Sequence, residues 1–416
     1  MKRYLILNLL FALLLSSCSV ITSSQAYVDD QPVDILPTPL EEPIPVVTDS
    51  SIEEPLVDDQ PIPIETGDNQ TGGFYQNWIA FVDPNNDISM VNPVTGEIKQ
   101  ITQIGSSVIR TGEGAQTIQF GQPAWSSDGE LLAFKQELLT QLTDRLDTVT
   151  NLWVYEPASQ TSWMVLENVT LSGFAWRPGT HAISYTIHTD PAYFTGRGVV
   201  DASLAHGIML VDVESGEISE LVAPQGFSLV QPKWSPDGRL VSFDEVNLME
   251  GRGNFAWYDF DKSNYNSWEK AIGNYDWSPA GNLAYDNLTY IPAGNERIML
   301  NDRMNTAEEL FSSTIKEGSF AFSPRFSPSG AQLAYIIGNG SIDEVFGYQL
   351  MLQAIDGSEP EVLLEGEQIE TFAWSGDGSF LAASLGFYGS ADIVVIDVQN
   401  GTISEVAQGW NPVWQK

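Results

Sequence analysis

The sequence predicts an all-β chain: a seven-bladed β-propeller over residues 74–416, closed by pairing of a C-terminal strand with the N-terminal blade. A signal peptide (1–18) and an acidic, Pro-rich disordered linker (19–73) precede it. Three observations carry this reading. An aromatic residue followed by a Ser-Pro-Asp-Gly-like turn and an apolar segment recurs along the chain. The recurrences are 43 to 58 residues apart, the period of four-stranded blades. Each end of the repeat region holds part of a repeat that the other end completes.

Residues 1–18 begin with Lys2 and Arg3 and continue into the apolar run Leu5–Leu15, which is too short to span a bilayer as a helix. The run ends in Leu15-Ser16-Ser17-Cys18, and Cys18 is the single cysteine of the chain. This segment resembles the bacterial lipobox. The resemblance implies that Cys18 is lipidated and becomes the mature first residue, and that Ser19, where no aspartate stands, favours outer-membrane sorting in a two-membrane host. Each acyl chain contributes about 0.8 kcal/mol per buried methylene, so more than one chain anchors stably. The linker that follows carries twelve Asp/Glu and no Lys or Arg over residues 19–72. Like-charge repulsion and proline stiffness keep such a segment extended, as a tether between membrane and domain.

The repeat is clearest in Gln122-Pro-Ala-Trp125-Ser-Ser-Asp-Gly129 and Gln231-Pro-Lys-Trp234-Ser-Pro-Asp-Gly238. The aromatic anchors are Trp125, Trp176, Trp234, Trp277, Phe326 and Trp374, and Trp414 follows 40 residues after the last. In the turn, Pro presets φ, Asp accepts bonds from its own backbone, and Gly takes the left-handed position. Each unit reads strand, Ser-Pro-Asp-Gly turn, strand, variable loop, strand, Gly turn, strand. The chain ends in Asn411-Pro-Val-Trp414, an inner strand without its blade. It starts with Trp78–Phe81, Ile88–Val91 and Thr95–Ile98, the three strands that such a blade lacks.

These Trp-Ser-Pro-Asp-Gly repeats resemble those of TolB-type propellers and are similar to the propellers of prolyl oligopeptidase-like proteins. The resemblance covers roughly residues 74–416 and implies the fold. Two departures separate this chain from the TolB pattern: a lipid anchor and tether replace a folded α/β domain, and seven blades replace six.

Composition excludes several functions. A formal charge of −37, from 55 acidic and 18 basic residues, repels nucleic acid and anionic lipid alike. The signal carries +2, the tether −12 and the propeller −27, so the acidity is not confined to a tail. One cysteine rules out an intrachain disulfide or Cys-rich metal centre. No Gly-x-Ser-x-Gly elbow occurs, and no residues remain for a hydrolase domain. His181, His188 and His206 fall in or beside one blade and are expected as ordinary loop histidines. Asp83-Pro-Asn-Asn-Asp87 and Asp259-Phe-Asp261-Lys-Ser263 place oxygens at alternate positions but lack the rest of an EF-hand loop. They are expected as turns. No cofactor is therefore expected, calcium at these segments being the alternative.

Two groups of residues stand out. The residues just before the anchors in three successive blades are Lys233, Asp276 and Arg325, which predicts an inter-blade ion triad facing the channel. The loops on one face are expected to be long and irregular (103–121, 135–150, 187–206, 245–254, 286–296 and 337–347), the other face having only short turns. The long-loop face offers Tyr193, Phe194, Arg197, Tyr290, Phe346, Phe387 and Tyr388, residue types enriched at binding hot spots. The expectation is a monomeric, lipid-anchored, extracytoplasmic and non-catalytic module that binds a protein or envelope polymer on this face. The alternative is a hydrolase or lyase acting on polysaccharide or peptide from the axial funnel.

Overall fold

The computed structural model describes residues 78–416 except 111–113, 144–145, 189–192, 197–198, 247–252, 269, 288–296, 303–305, 310–318 and 342–343. Among the described residues seven antiparallel blade sheets follow one another, six of four strands and that of blade 2 with five, and a separate two-stranded ribbon pairs Phe194–Gly196 with Val199–Val200. Blade 1 joins Trp410–Trp414 as its inner strand to Ile79–Val82, Ile88–Val91 and Ile98–Gln100. The first described strand and the last are thus paired, with Ile79 opposite Trp414 and Val82 opposite Trp410. This is the closure expected from the half-repeats, and it leaves no open ring edge. The inner strands of blades 2 to 7 are Ala115–Trp125, Leu171–Trp176, Ser228–Trp234, Tyr275–Trp277, Ser319–Phe326 and Ile369–Trp374.

The core is divided into seven wedges. Each seam between successive blades holds its own apolar cluster: Phe120, Trp125 and Leu132 with Ala80 and Met90 between blades 2 and 1, for instance. Ile336, Leu350 and Leu381 lie between blades 6 and 7, and Phe380 and Ile393 with Ile79 and Phe81 between blades 7 and 1. A blade is covered on both faces, so both side-chain parities of its middle strands are buried. Ile79–Val82 and Ile88–Val91 are buried at every residue. Such strands read as continuous apolar runs and not as alternation.

The Ser-Pro-Asp-Gly turns are built as their composition dictates. In blade 2, Ser126 Oγ donates to Asp128 Oδ1 (2.6 Å), Glu130 N donates to the same oxygen (3.0 Å), and Leu131 N donates to Ser126 Oγ (3.0 Å). Gly129 has φ +73, and a Cβ there would stand 2.3 Å from the Lys416 carbonyl. It must be glycine both for the turn and to admit the chain terminus.

Three expected loops are largely strand, the first being 103–121, which holds Val108–Arg110 and the start of Ala115–Trp125. Leu132–Gln141 and Leu146–Glu156 pair as far as Gln141 and Leu146, and Gln332–Ser341 and Glu344–Ala354 as far as Ser341 and Glu344. Residues 135–141 with 146–150, and 337–341 with 344–347, are thus extensions of the middle strands of blades 2 and 6 on the long-loop face. Backbone pairing satisfies the peptide groups that an irregular loop would leave to water.

Candidate functional site

The anchors form a ring of bonds around the axis. Trp125 Nε1 donates to Val413 O (3.3 Å), Trp176 Nε1 to Ala124 O (2.9 Å) and Trp374 Nε1 to Arg325 O (3.2 Å). In each case the acceptor is the residue before the anchor in the preceding blade. In blades 4 and 5 a serine relays the same link. Trp234 Nε1 donates to Ser184 Oγ and that hydroxyl to Ala175 O; Trp277 Nε1 donates to Ser242 Oγ and that hydroxyl to Lys233 O. Phe326 has no indole, and here backbone and side chain exchange roles: its backbone N donates to Asp276 Oδ2 at 2.9 Å. At the last seam Trp414 Nε1 is buried with no partner among the described residues.

Three residues before the anchor, four inner strands bulge with left-handed backbone; those of blades 3 and 7 also slip, opposite Thr186 and Ile187 and between Ile369 and Phe372. Gln122, Gln231, Ser323 and Asn411 have φ of 52, 55, 54 and 54, and each precedes a proline. The pairing slips at these points, between Gly121 and Ala124, Val230 and Lys233, Phe322 and Arg325, and across from Ala80 and Val82. Proline cannot donate to a ladder and is accommodated at such bulges, though the strands of blades 3 and 7 slip without one. A non-glycine residue held left-handed costs about 1–3 kcal/mol and persists only where its surroundings impose it. Gln122 and Gln231 are exposed.

At the residue before the anchor lies the charged cluster. Lys233 Nζ is 3.0 Å from Asp276 Oδ1, with side chains 33% and 19% exposed. Lys233 Nζ also donates to Tyr275 O (2.6 Å), and Arg325 Nη1 donates to that same carbonyl (3.2 Å) and to Pro324 O (3.2 Å). The expected triad is therefore half formed. Lys233 and Asp276 pair, but Arg325 makes no ion pair with Asp276 among the described residues and joins through the backbone of Tyr275. The reason is that the Asp276 carboxylate is already engaged by Lys233 and Phe326 N. Burial pulls the Lys233 amine down to about 8, against the opposing attraction of Asp276 and with the help of Arg325 and Lys416. Asp244, on the neighbouring strand Leu240–Val246, is pushed up to about 7 by burial. Tyr275 is also raised, by burial first and then by Asp244.

The short-turn face holds a cluster that sequence reasoning missed. His181 Nε2 lies 2.9 Å from Asp128 Oδ2 and 3.9 Å from Glu130 Oε2, and Nδ1 lies 3.1 Å from Glu214 Oε1. The hydrogen bond to Glu214 raises the imidazole pKa, burial opposes, and Asp128 adds to the rise. Asp128 is lowered: burial opposes, but bonds from Ser126, the Glu130 backbone and His181 prevail. One donor atom each from Asp128, Glu130 and His181 lies within 4.8 Å of the others, a set able to hold a divalent cation. Asp128 and His181 are 53 residues apart in sequence, and only the blade seam unites them. The two segments weighed for calcium form turns: Asp83 Oδ1 accepts from Asn85 N and Asp87 N, Asp87 Oδ1 from Gly105 N, and Asp259 Oδ1 from Asp261 N and Lys262 N.

On the long-loop face the candidates separate. Tyr193 is 0% exposed, so it is not a surface anchor. Its hydroxyl donates to Val246 O (2.7 Å) and accepts from Ser228 N (3.1 Å), and its ring meets half-buried Phe194 edge-on at 5.0 Å. It pins its loop to blade 4, because a buried ring with both hydroxyl roles satisfied is more stable there than in water. Phe387 is 57% exposed. Half-buried Tyr388 beside it packs on Trp410 at 4.3 Å and donates to Asn86 Oδ1 at 2.7 Å. Phe346 lies in the strand Glu344–Ala354. Arg197, Tyr290 and Cys18 lie outside the described residues.

No family model matches the chain, and no curated protein matches it by sequence. Solved structures do. An oligogalacturonate lyase in complex with manganese aligns with TM-score 0.55 and 13% identity, covering 80% of this chain and 84% of that one. A prolyl endopeptidase aligns with TM-score 0.54 and 15% identity, over 80% of this chain and 50% of that one. TolB from Acinetobacter baumannii aligns with TM-score 0.44 and 14% identity, over 72% and 82%. The two likenesses above 0.5 establish a shared propeller fold.

Proposed function

We propose that the protein is a non-catalytic binding module, held outside the cytoplasm by lipidated Cys18 and the acidic tether, that engages a protein or cell-envelope polymer with its long-loop face. The observation that carries this reading is Phe387, displayed at 57% exposure beside a Tyr388 fixed from below by Trp410 and Asn86. An exposed aromatic on a rigid support gives up little conformational entropy on binding. The closed ring needs no second copy, which fits a monomer. The test immobilises the full chain in mild detergent and captures partners from host envelope fractions. A specific partner should be retained by the native protein and weakened at least ten-fold by Phe387→Ala. Equal retention by both would sink the reading.

One observation favours a catalytic alternative: an amine near 8 (Lys233) and a carboxyl near 7 (Asp244) both border Tyr275. Groups that titrate close to neutrality serve general acid–base chemistry. The structural neighbours include a lyase and a peptidase, which makes polysaccharide and peptide cleavage the reactions to assay. Turnover abolished by Lys233→Met would establish it.

A further inference from the structure

At the seam between blades 2 and 3, the short-turn face carries a donor set that neither reading above uses. His181 lies among three carboxylates. Asp128 Oδ2 and Glu130 Oε2 are 2.9 and 3.9 Å from Nε2, and Glu214 Oε1 is 3.1 Å from Nδ1. An ionised carboxylate only accepts, so each ring nitrogen must present a positive centre to it. A neutral ring supplies one N–H. Bonded to Glu214, that N–H sits on Nδ1 and leaves the Nε2 lone pair for the side of Asp128 and Glu130. In the metal-free protein a second proton fills that gap. A divalent ion can fill it instead, and histidines that ligate metals typically donate their other N–H to a carboxylate in this way.

The distances suit an ion. Ligands about 2.1 Å from one centre stand about 3.0–3.4 Å apart in octahedral or tetrahedral coordination. The Nε2 contacts of 2.9 and 3.9 Å bracket that range, and the three donor atoms all lie within 4.8 Å of one another. Movements of about 1 Å, small for exposed carboxylates, complete the set. The backbone beneath is fixed. Asp128 commits Oδ1 to its own turn, accepting from Ser126 Oγ (2.6 Å) and Glu130 N (3.0 Å), so Oδ2 is the oxygen left for His181. Gly179 N donates to Ser127 Oγ (2.8 Å), which ties the turn before His181 to the turn that carries Asp128. Gln415 Nε2 donates to Gly129 O (2.8 Å) and holds that turn from the chain end. The set is not a general property of the turn. Blades 4 and 7 repeat the turn with Asp237 and Asp377, but Arg239 and Ser379 stand where blade 2 has Glu130. Neither aspartate has a histidine partner among the described residues.

We propose that Asp128, Glu130 and His181 form a binding site for a divalent transition ion of the zinc class, with Glu214 orienting the imidazole. One nitrogen with two carboxylate oxygens suits zinc better than calcium or magnesium, which take oxygen ligands. The ion displaces the Nε2 proton to solvent and joins the turns of blades 2 and 3. Its remaining positions face water, because the carboxylates are exposed. The site shares no residue with the rim around Phe387, so it stands whether or not the rim holds a partner.

The test titrates the chelator-stripped full chain in detergent with zinc, calcium and magnesium chlorides by isothermal titration calorimetry at pH 7.5. Zinc should bind saturably at one ion per chain and raise the thermal midpoint, with calcium and magnesium at least ten-fold weaker. His181→Gln and, independently, Asp128→Asn should each weaken zinc ten-fold or more. Asp237→Asn, the same substitution in the turn of blade 4, should leave zinc affinity unchanged. Glu214→Gln should weaken zinc about ten-fold without moving the thermal midpoint of the metal-free protein, which separates orientation of the ring from support of the fold. No saturable zinc binding, equal affinity for calcium or magnesium, or zinc binding indifferent to both His181→Gln and Asp128→Asn would overturn the proposal. So would an equal loss in Asp237→Asn, which would mean that the ion is held by diffuse acidity and not by this set.

Discussion

The ring of anchor bonds makes a paired prediction at two tryptophans. Trp176 and Trp414 are equivalent anchors, 8% and 4% exposed, so Trp→Phe removes the same atoms from comparably buried seams. The polar consequences are opposite. Trp176→Phe deletes a 2.9 Å bond to Ala124 O, whereas Trp414→Phe deletes a buried N–H that has no partner. A made hydrogen bond contributes about 0.5–1.5 kcal/mol net, and an unsatisfied buried group costs about 1–3 kcal/mol. The loss of ring volume, about 1–2 kcal/mol, is common to both. Trp176→Phe should therefore destabilise by about 1.5–3.5 kcal/mol, whereas Trp414→Phe should fall between about 2 kcal/mol stabilising and 1 kcal/mol destabilising, a gap of about 3 kcal/mol. Phe326, the natural phenylalanine anchor, shows that the ring tolerates the smaller side chain when another group makes the link. Urea titration of each purified variant, read by far-UV circular dichroism with a shared m value, measures the gap. Equal midpoints would refute the argument, because they would mean that the indole bonds do not contribute and the unpaired donor does not cost.

Two further predictions rest on single contacts. His181 has its pKa raised by Glu214 and Asp128, so its stabilisation is fully present below about pH 6.5, the ordinary histidine value, and is lost as pH rises through the raised folded value. Asp128 is lowered, so its share is lost as pH falls through the carboxylate range. The stability difference between native protein and His181→Gln should thus be largest near pH 5–6 and shrink by pH 8. It should stay near about 1 kcal/mol, since Asp128 and Glu214 are 43% and 72% exposed and water screens them; thermal melts across pH measure it. Tyr193→Phe should cost about 1–2 kcal/mol by leaving Val246 O and Ser228 N without their partner, and should leave capture of the rim partner unchanged.

What the sequence by itself determined is everything set by local chemistry and period. The turn Ser126–Gly129 folds as its residues require, because its bonds span five residues or fewer. Seven blades and their closure were legible because a blade is one repeat, and the part-repeats at the two ends of the repeat region complete one another. Tertiary structure decided what depends on neighbouring blades. Tyr193 looked like a surface aromatic until the path of its loop placed it over Ser228 and Val246. Lys233 and Arg325 stood at equivalent positions in sequence, yet they converge on the Tyr275 carbonyl and not on one shared carboxylate, because Lys233 and Phe326 N already engage Asp276. His181 acquired its three carboxylates from turns up to 53 residues away. Period fixes which residues share a level of the ring. Contact across a seam depends on ångström offsets between rigid sheets, which no repeat encodes.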